Sequence, residues 1–144
     1  PNLPAIECAA QQIKQALLTM LINACEAMPQ GGELWVGTAA LRRRSSDGAE
    51  RGAPGAPPER VEIRIRDTGV GMDEETRKHI FEPFFTTKEG SAAGGTGLGL
   101  AVAYNIARSH GGALTVESAP GRGSTFILQI PCVRPDRTPE GETV

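Results

Sequence analysis

The strongest constraint on the fold is a short stretch that alternates and then stops at an acid followed by glycines. Residues 61–66 alternate between apolar and charged side chains, and this period of two predicts a strand with one apolar and one hydrated face. Asp67 continues the apolar parity, so an unbulged strand turns its carboxylate toward the core, where a charge is costly unless donors bind it. Gly69 and Gly71 follow and let a ligand approach the backbone closely.

Two interpretations of Asp67 stay open on this stretch alone. An inward acid at a strand end, beside a glycine turn, suits a site for a flat polar ring that carries an amino donor. An aspartate that caps its own loop at the end of a strand is about equally common. The rest of the chain has to distinguish them.

Composition limits the class of protein. The chain has 144 residues, 39% of them hydrophobic and 4% aromatic, enough for one domain with a core of Leu, Ile, Val and Ala. A net charge of −2 gives no general attraction to nucleic acid, and no apolar run approaches the ~20 residues that span a bilayer, so we expect no direct membrane contact. Three cysteines without C-x-x-C spacing favour a reducing, cytoplasmic location. The abrupt first residues, 1–4, indicate a piece of a longer protein.

Helical spacing predicts a first helix over residues 9–28. Its back is also apolar, through Leu18, Ile22 and Cys25, so we expect it to be covered on two sides. Asn23 is a poor interior helix former at the margin of the apolar face. It is either a satisfied polar residue or an oxygen directed at a metal ion or phosphate, and the first is favoured on this helix alone.

A strand is predicted over 33–41, with Trp35 as a half-buried aromatic, and a flexible hairpin insertion over 42–58. Asp73 is predicted to cap a short helix that ends near residues 80–81, before Pro83. Phe84 and Phe85 are expected to fix the root of the next loop.

That loop, residues 86–96, consists of small residues around Lys88 and is expected to be mobile. It leads into glycines that open a helix over 98–110, whose free backbone N–H groups form a possible anion site. Two alternating strands, over 114–117 and 126–130, close the chain. We expect one domain over residues 1–133 and a flexible tail or linker over 134–144.

This order of elements predicts an α+β fold, a two-layer sandwich with a mixed, mostly antiparallel sheet of about five strands and helices on one face. It brings three groups together: Asn23 on a helix, Asp67 with its glycines at a central strand end, and Lys88 with residues 95–99 on a lid.

These segments also resemble the motifs of a known protein family. The chain resembles the catalytic, ATP-binding domain of sensor histidine kinases, in the wider group of gyrase B, the large heat-shock chaperone and the mismatch-repair ATPases. Five motifs carry it in family order: LLTMLINACEAM at 17–28, DTGVGM at 67–72, FEPFFTTK at 81–88, GTGLGL at 95–100 and GRGSTF at 121–126. The phenylalanine motif resembles that of nitrogen-regulator-type kinases.

The resemblance implies a role for each matching residue. It implies ATP and Mg²⁺, with Asn23 as the metal ligand, Asp67 as acceptor of the adenine amino group, and Lys88 as a charge on the phosphates. The catalytic residues implied are Asn23 and Lys88. The implied nucleotide-binding set is Asn23, Ala27, Asp67, Gly69, Gly71, Met72, Lys88, Gly95, Thr96, Gly97, Leu98, Gly99, Leu100 and Thr125.

The resemblance also implies partners: an upstream dimerisation domain that bears the acceptor histidine, and a response regulator. Neither His79 nor His110 has the features of that acceptor. Thr19 stands where the family often has Asn and other branches have a water-activating Glu, which argues against a strong stand-alone ATPase. A clamp-type ATPase and a nucleotide sensor without phosphotransfer remain as alternatives.

Overall fold

The computed structural model describes residues 3–42, 58–87 and 95–132. Within these ranges the elements follow the predicted order. The helices are α1 (Ala10–Glu26), α2 (Glu74–His79) and α3 (Gly99–Ser109). The strands are β1 (Leu34–Leu41), β2 (Arg60–Asp67), β3 (Ala113–Ser118) and β4 (Ser124–Pro131). Residues 43–57 of the flexible insertion predicted over 42–58, residues 88–94 of the lid, and residues 133–144, which include the predicted tail over 134–144, lie outside the described residues.

The strands form a sheet in the order β1-β2-β4-β3. Every pairing is antiparallel, so the described sheet is neither mixed nor five-stranded as the sequence suggested. Strand β2 is central and pairs with β1 from Leu41↔Arg60 to Leu34↔Asp67. Its other neighbour is β4, which comes from the far end of the chain. The end of β2 therefore meets the start of β4.

Helices α1 and α3 pack against each other and against one face of the sheet, which confirms the two-layer α+β architecture. The core lies between the layers, because the apolar parity of the strands and the apolar stripe of the helices face each other. Its fully enclosed side chains include Met20 of α1, Ile65 of β2, and Leu128 and Ile130 of β4.

The expectation that α1 is covered on both sides is wrong for the described residues. Leu18 is 58% exposed and Ile22 is 48% exposed, and Cys25 on the same flank is exposed too. Helix α1 has α3 beside it and the sheet beneath it, which leaves this third flank open. Trp35 on the edge strand β1 is 45% exposed, so the expectation of a half-buried aromatic is wrong for the described residues; the Arg66 guanidinium lies 5.2 Å from the centre of its ring.

His110 connects the beginning of α1 to the end of α3. Its Nε2 accepts a hydrogen bond from Ala9 N–H at 3.1 Å, and its Nδ1 lies 2.8 Å from the Ile106 carbonyl oxygen. The first contact uses the lone pair of Nε2, so Nδ1 is the ring nitrogen that can donate to the Ile106 carbonyl oxygen. Ala9 itself offers no side-chain cap, so His110 satisfies an amide at the open end of α1.

Helix α2 begins as predicted. The Asp73 carboxylate accepts a hydrogen bond from Thr76 N–H at 2.7 Å, and this bond lowers the pKa of Asp73. On the same helix, the hydrogen bond and charge of Glu82, reinforced by Glu75, raise the pKa of His79. No described helix combines the length and the apolarity that crossing a membrane requires.

Candidate functional site

A cavity of about 460 Å³ opens between α1, the end of β2 and the start of α3. Its volume is in the range of small-molecule sites. The residues that line it come from every motif singled out in the sequence: Thr19, Ile22, Asn23, Glu26, Ala27, Asp67, Val70, Gly71, Met72, Thr76, Ile80, Phe85, Thr86, Thr87, Gly95, Thr96, Gly97, Gly99, Leu100, Ser124 and Phe126.

Asp67 is the most buried polar side chain of this cavity, with 1% of its surface exposed. Its Oδ1 accepts two backbone hydrogen bonds, from Gly69 N–H at 2.8 Å and from Ser124 N–H at 3.2 Å. No donor within the described ranges reaches Oδ2. A buried carboxylate with one satisfied and one unsatisfied oxygen is costly, and a ligand that donates a hydrogen bond removes that cost.

The loop after Asp67 is held between two carbonyl groups that leave no room for side chains. A Cβ on Gly69 would come within 2.5 Å of the Ala27 carbonyl oxygen, and one on Gly71 within 1.9 Å of the Ala119 oxygen. Val70 N–H also donates to the Ala27 oxygen at 3.0 Å. The end of α1 and the turn after β3 therefore fix this wall of the cavity, and glycine is required for both contacts.

Asn23 lies on α1 at the side of the cavity. Its Nδ2 donates to the Thr19 carbonyl oxygen at 2.9 Å, so the amide group has a defined orientation. Because the nitrogen is used within the helix, the carbonyl oxygen Oδ1 is the atom left for a ligand. Hard cations take such oxygen ligands. No group of three or more His, Cys, Asp or Glu side chains suited to a metal exists among the described residues.

The phenylalanine motif and the second glycine motif meet through their backbones. Phe84 N–H donates to the Gly97 carbonyl oxygen at 2.9 Å, and a Cβ on Gly97 would lie 2.5 Å from the Phe84 carbonyl carbon. Both residues have positive φ, +67° and +69°. The Phe84 ring is 74% exposed, so the expectation that its side chain fixes the root of the loop is wrong; its backbone does so, while Phe85 lines the cavity.

Helix α3 starts next to α1 at the mouth of the cavity. A Cβ on Gly99 would lie 3.1 Å from the Thr19 methyl group, so the two helices approach closely there. Among the residues that the structure describes, no side chain caps this helix start. Its first N–H groups are therefore available for an anion, at the positive end of the helix dipole.

Ten of the residues implied by the resemblance line this one cavity: Asn23, Ala27, Asp67, Gly71, Met72, Gly95, Thr96, Gly97, Gly99 and Leu100. Gly69 and Leu98 do not line it, although Gly69 N–H donates a hydrogen bond to Asp67 Oδ1. Lys88 lies outside the described residues.

Thr125 is the one described residue of the implied set that lies on the other side of strand β4. It pairs with Arg66, on the opposite parity from the core residues of β4, and it does not line the cavity. Because successive residues of a strand face opposite sides, the neighbour Ser124 occupies the cavity side instead. Ser124 is also the residue whose N–H donates to Asp67 Oδ1.

Sequence reasoning also missed Ser118, at the end of β3. Its hydroxyl accepts from Met72 N–H at 2.8 Å, donates to the Gly123 carbonyl oxygen at 3.0 Å and lies 2.9 Å from the Ser124 hydroxyl. These contacts join the first and the last glycine motifs. The available signal was indirect: a small polar residue that ends an alternating strand just before a glycine turn.

Residues 8–134 match the family of histidine kinase-, DNA gyrase B- and HSP90-like ATPases, and the chain belongs to this family. The curated relatives that it matches include sensor histidine kinases and sporulation kinases. Sporulation kinase E of Bacillus subtilis is 38% identical over 130 residues, which make up 90% of this chain and 15% of that protein.

Sensor histidine kinase ZraS of Escherichia coli (strain K12) is 37% identical over 140 residues, 97% of this chain and 26% of that protein. Among solved structures, the catalytic domain of histidine kinase ThkA is 30% identical with a TM-score of 0.67, covering 88% of this chain and 71% of that one. Full-length ShkA, solved in complex with AMPPNP, is 27% identical with a TM-score of 0.68, covering 92% and 24%. The chain thus spans about a sixth to a quarter of the curated relatives it matches.

Proposed function

We propose that this chain is the ATP-binding catalytic domain of a two-component sensor histidine kinase. It donates the γ-phosphoryl group of Mg-ATP to a histidine on a dimerisation domain of the same protein, outside this chain, and a response regulator then receives the phosphoryl group. The observation that carries the proposal is the Asp67 carboxylate, which is buried, lines the cavity and has one oxygen that no donor among the described residues reaches.

Adenine fits that oxygen because its exocyclic amino group is a hydrogen-bond donor. A purine ring also suits the wall beside Asp67, where Gly71 and Met72 bring backbone and a thioether to the cavity. The AMPPNP complex of ShkA supports a nucleotide of this kind in a related fold.

Mg²⁺ fits Asn23. Its Oδ1 is the free atom of an oriented amide, and Mg²⁺ in nucleotide sites commonly has one or two protein ligands and completes its shell with phosphate oxygens and water. The absence of a larger acidic cluster among residues 3–42, 58–87 and 95–132 is consistent with this mode of binding. When bound, the ion would neutralise phosphate charge.

The phosphates would lie against the start of α3. Gly97 and Gly99 line the cavity there and leave backbone N–H groups accessible, and Lys88 would add a point charge from the lid. In the transfer itself the bond from the γ-phosphorus to the β–γ bridging oxygen breaks, a bond to an imidazole nitrogen forms, and ADP leaves. The chain's part is positioning and charge stabilisation.

The two histidines of this chain are not the acceptor in this proposal. Both ring nitrogens of His110 are engaged and the residue is buried, so a phosphoryl group has no access. His79 lies between Glu75 and Glu82, whose charges repel a phosphoryl group. The three free cysteines are consistent with a reducing, cytoplasmic setting.

Calorimetric titration with ADP and ATP, each with and without Mg²⁺, tests the binding part. Asn23→Ala should weaken ATP binding about tenfold in Mg²⁺, equivalent to about 1.4 kcal/mol, and much less without the metal. Leu18→Ala, on the exposed flank of the same helix, is the matched control. An equal loss with and without Mg²⁺ would remove the metal role from Asn23.

Mixing the chain with the dimerisation domain of its parent protein and Mg-ATP tests the transfer. We expect acid-labile phosphohistidine on the added domain, and little ATP hydrolysis by the chain alone. ATP binding without phosphohistidine would favour a nucleotide sensor. Strong hydrolysis by the chain alone would favour a clamp-type ATPase.

A further inference from the structure

We infer that Ser118 is a specificity-determining positioning residue, which makes the floor of the cavity a hydrogen-bond acceptor and so selects amino-purines over oxo-purines. This inference rests on the proposed nucleotide site. It assigns the selectivity to a hydroxyl pair, Ser118 with Ser124, in addition to Asp67.

The geometry around Ser118 determines where the protons are. A serine hydroxyl has one proton and accepts through two lone pairs. Met72 N–H is only a donor, so it uses one lone pair; the Gly123 carbonyl is only an acceptor, so it takes the single proton. The contact of 2.9 Å with Ser124 is then a hydrogen bond only if Ser124 donates its own proton to Ser118.

This arrangement has a consequence for Ser124. Its hydroxyl proton is used by Ser118, so only the lone pairs of its oxygen are left for a ligand. The side chain lines the cavity and is 6% exposed. Its backbone N–H is used by Asp67 Oδ1. Ser124 therefore offers acceptors and no donor, as the Asp67 carboxylate beside it does.

A floor made of acceptors distinguishes purines by the group at position 6. The amino group of adenine supplies two N–H donors, whereas the carbonyl oxygen of hypoxanthine or guanine brings a further acceptor and is repelled. Without Ser118, the Ser124 hydroxyl loses its acceptor and is free to turn its proton into the cavity, where it can donate to such an oxygen.

The probes are ATP and its inosine analogue ITP, titrated calorimetrically into the 144-residue chain. We expect Ser118→Ala to reduce the preference for ATP over ITP about fivefold, the usual effect of one neutral hydrogen bond. Ser118→Cys keeps the volume but accepts much more weakly, so it should shift the ratio in the same direction and serves if the alanine variant does not fold. Ser118→Thr retains the hydroxyl and should restore the wild-type ratio.

Ser109→Ala is the matched control, since it removes a hydroxyl that binds the Ile106 carbonyl at the far end of α3. It should leave the ratio unchanged. A purely structural role of Ser118 predicts equal weakening of both nucleotides and an unchanged ratio, and this result would overturn the inference while leaving the proposed function intact. If the wild-type chain bound neither nucleotide, the proposed function would fail as well.

Discussion

Strand β2 carries two buried carboxylates that face opposite sides of the sheet, and they differ in how their oxygens are satisfied. Glu62, 5% exposed, has a side-chain partner on each oxygen: Arg64 Nε on Oε1 and Gln129 Nε2 on Oε2. Asp67 has, within the part of the chain that the structure describes, only backbone partners, both of them on Oδ1.

The pKa of Glu62 reflects its complete set of partners. Burial alone would raise that pKa, but the hydrogen bonds from Arg64 and Gln129 and the charge of Arg64 hold it below its usual range. Glu62 is thus a structural acid, each of whose oxygens already has a side-chain donor. Asp67 keeps one oxygen available at a cavity. Burial of a carboxylate therefore does not by itself identify a ligand site, whereas an incomplete set of hydrogen-bond partners next to open space does.

The largest effect that separates the two acids is expected from exchanging each for its amide. In Asp67→Asn, the carbonyl oxygen keeps the two backbone N–H bonds and turns the new NH₂ group toward the ligand. This places a donor against the adenine donor, so we expect at least about 100-fold weaker ADP and ATP binding by calorimetry. Glu62→Gln should bind both nucleotides within about twofold of wild type, since the ion pair with Arg64 and the hydrogen bond with Gln129 that it weakens do not line the cavity.

The thermal unfolding of both variants provides the control. Asp67→Asn should unfold near the wild-type temperature because its backbone partners remain. Wild-type affinity in Asp67→Asn would contradict the adenine assignment and remove the difference between the two acids.

A second test uses the dependence of Asp67 on backbone partners. Gly121 and Gly123 share positive φ values of +70° and +73°, but a Cβ on Gly123 would lie 2.0 Å from the Asp67 carbonyl oxygen, while one on Gly121 has open space. Gly121→Ala should cost about 1 kcal/mol of unfolding free energy from the strained φ alone. Gly123→Ala should cost at least about 3 kcal/mol, from that strain and the forced shift of the strand.

Nucleotide affinity, measured on the folded fraction, should fall strongly in Gly123→Ala and stay near wild type in Gly121→Ala. Equal losses in the two variants would mean that the contact with Asp67 does not matter. Urea unfolding and calorimetry on the same preparations provide both numbers.

The smallest expected effect concerns Glu62 and pH. Because its folded pKa lies below the ordinary value of 4.5, its contribution to stability is complete above about pH 4.5 and is lost as pH falls through the lowered pKa. We expect wild type to exceed Glu62→Gln by about 1 kcal/mol in unfolding free energy at pH 7, a modest value because Arg64 is half exposed.

That difference should shrink toward pH 3, and urea unfolding at several pH values measures it. A difference that grew on acidification would reverse the assigned direction of the pKa. Nucleotide affinity should be insensitive to this substitution throughout, which distinguishes Glu62 from Asp67 once more.

Periodicity was sufficient to predict much of this molecule. The alternation of β2 correctly placed Asp67 on the core side, and the Asp73 cap with its first-turn acids correctly started α2. These succeed because the pattern of a strand or a helix start is local. The family motifs further predicted which helices, strands and loops meet at one cavity.

The features that could not be predicted from the sequence are those that depend on contacts between residues far apart in the chain. Nothing local distinguishes Ser124 from Thr125 until the register of β2 and β4 is known, and Ser118 matters only because Gly123 and Met72 reach it. The apolar flank of α1 was wrongly predicted to be buried. A helical pattern shows which residues are apolar, but it does not show which of them have a neighbouring element to pack against.

The separation of Asp67 from Ser124 along the chain has a consequence for biosynthesis. The carboxylate emerges from the ribosome 57 residues before the amide that completes its second backbone bond. A nascent chain halted before β4 would hold β2 with one central neighbour missing, and the acid would remain hydrated. A ligand that binds the completed cavity therefore stabilises only chains in which β4 has already paired with β2, and it does not assist the earlier stages of folding.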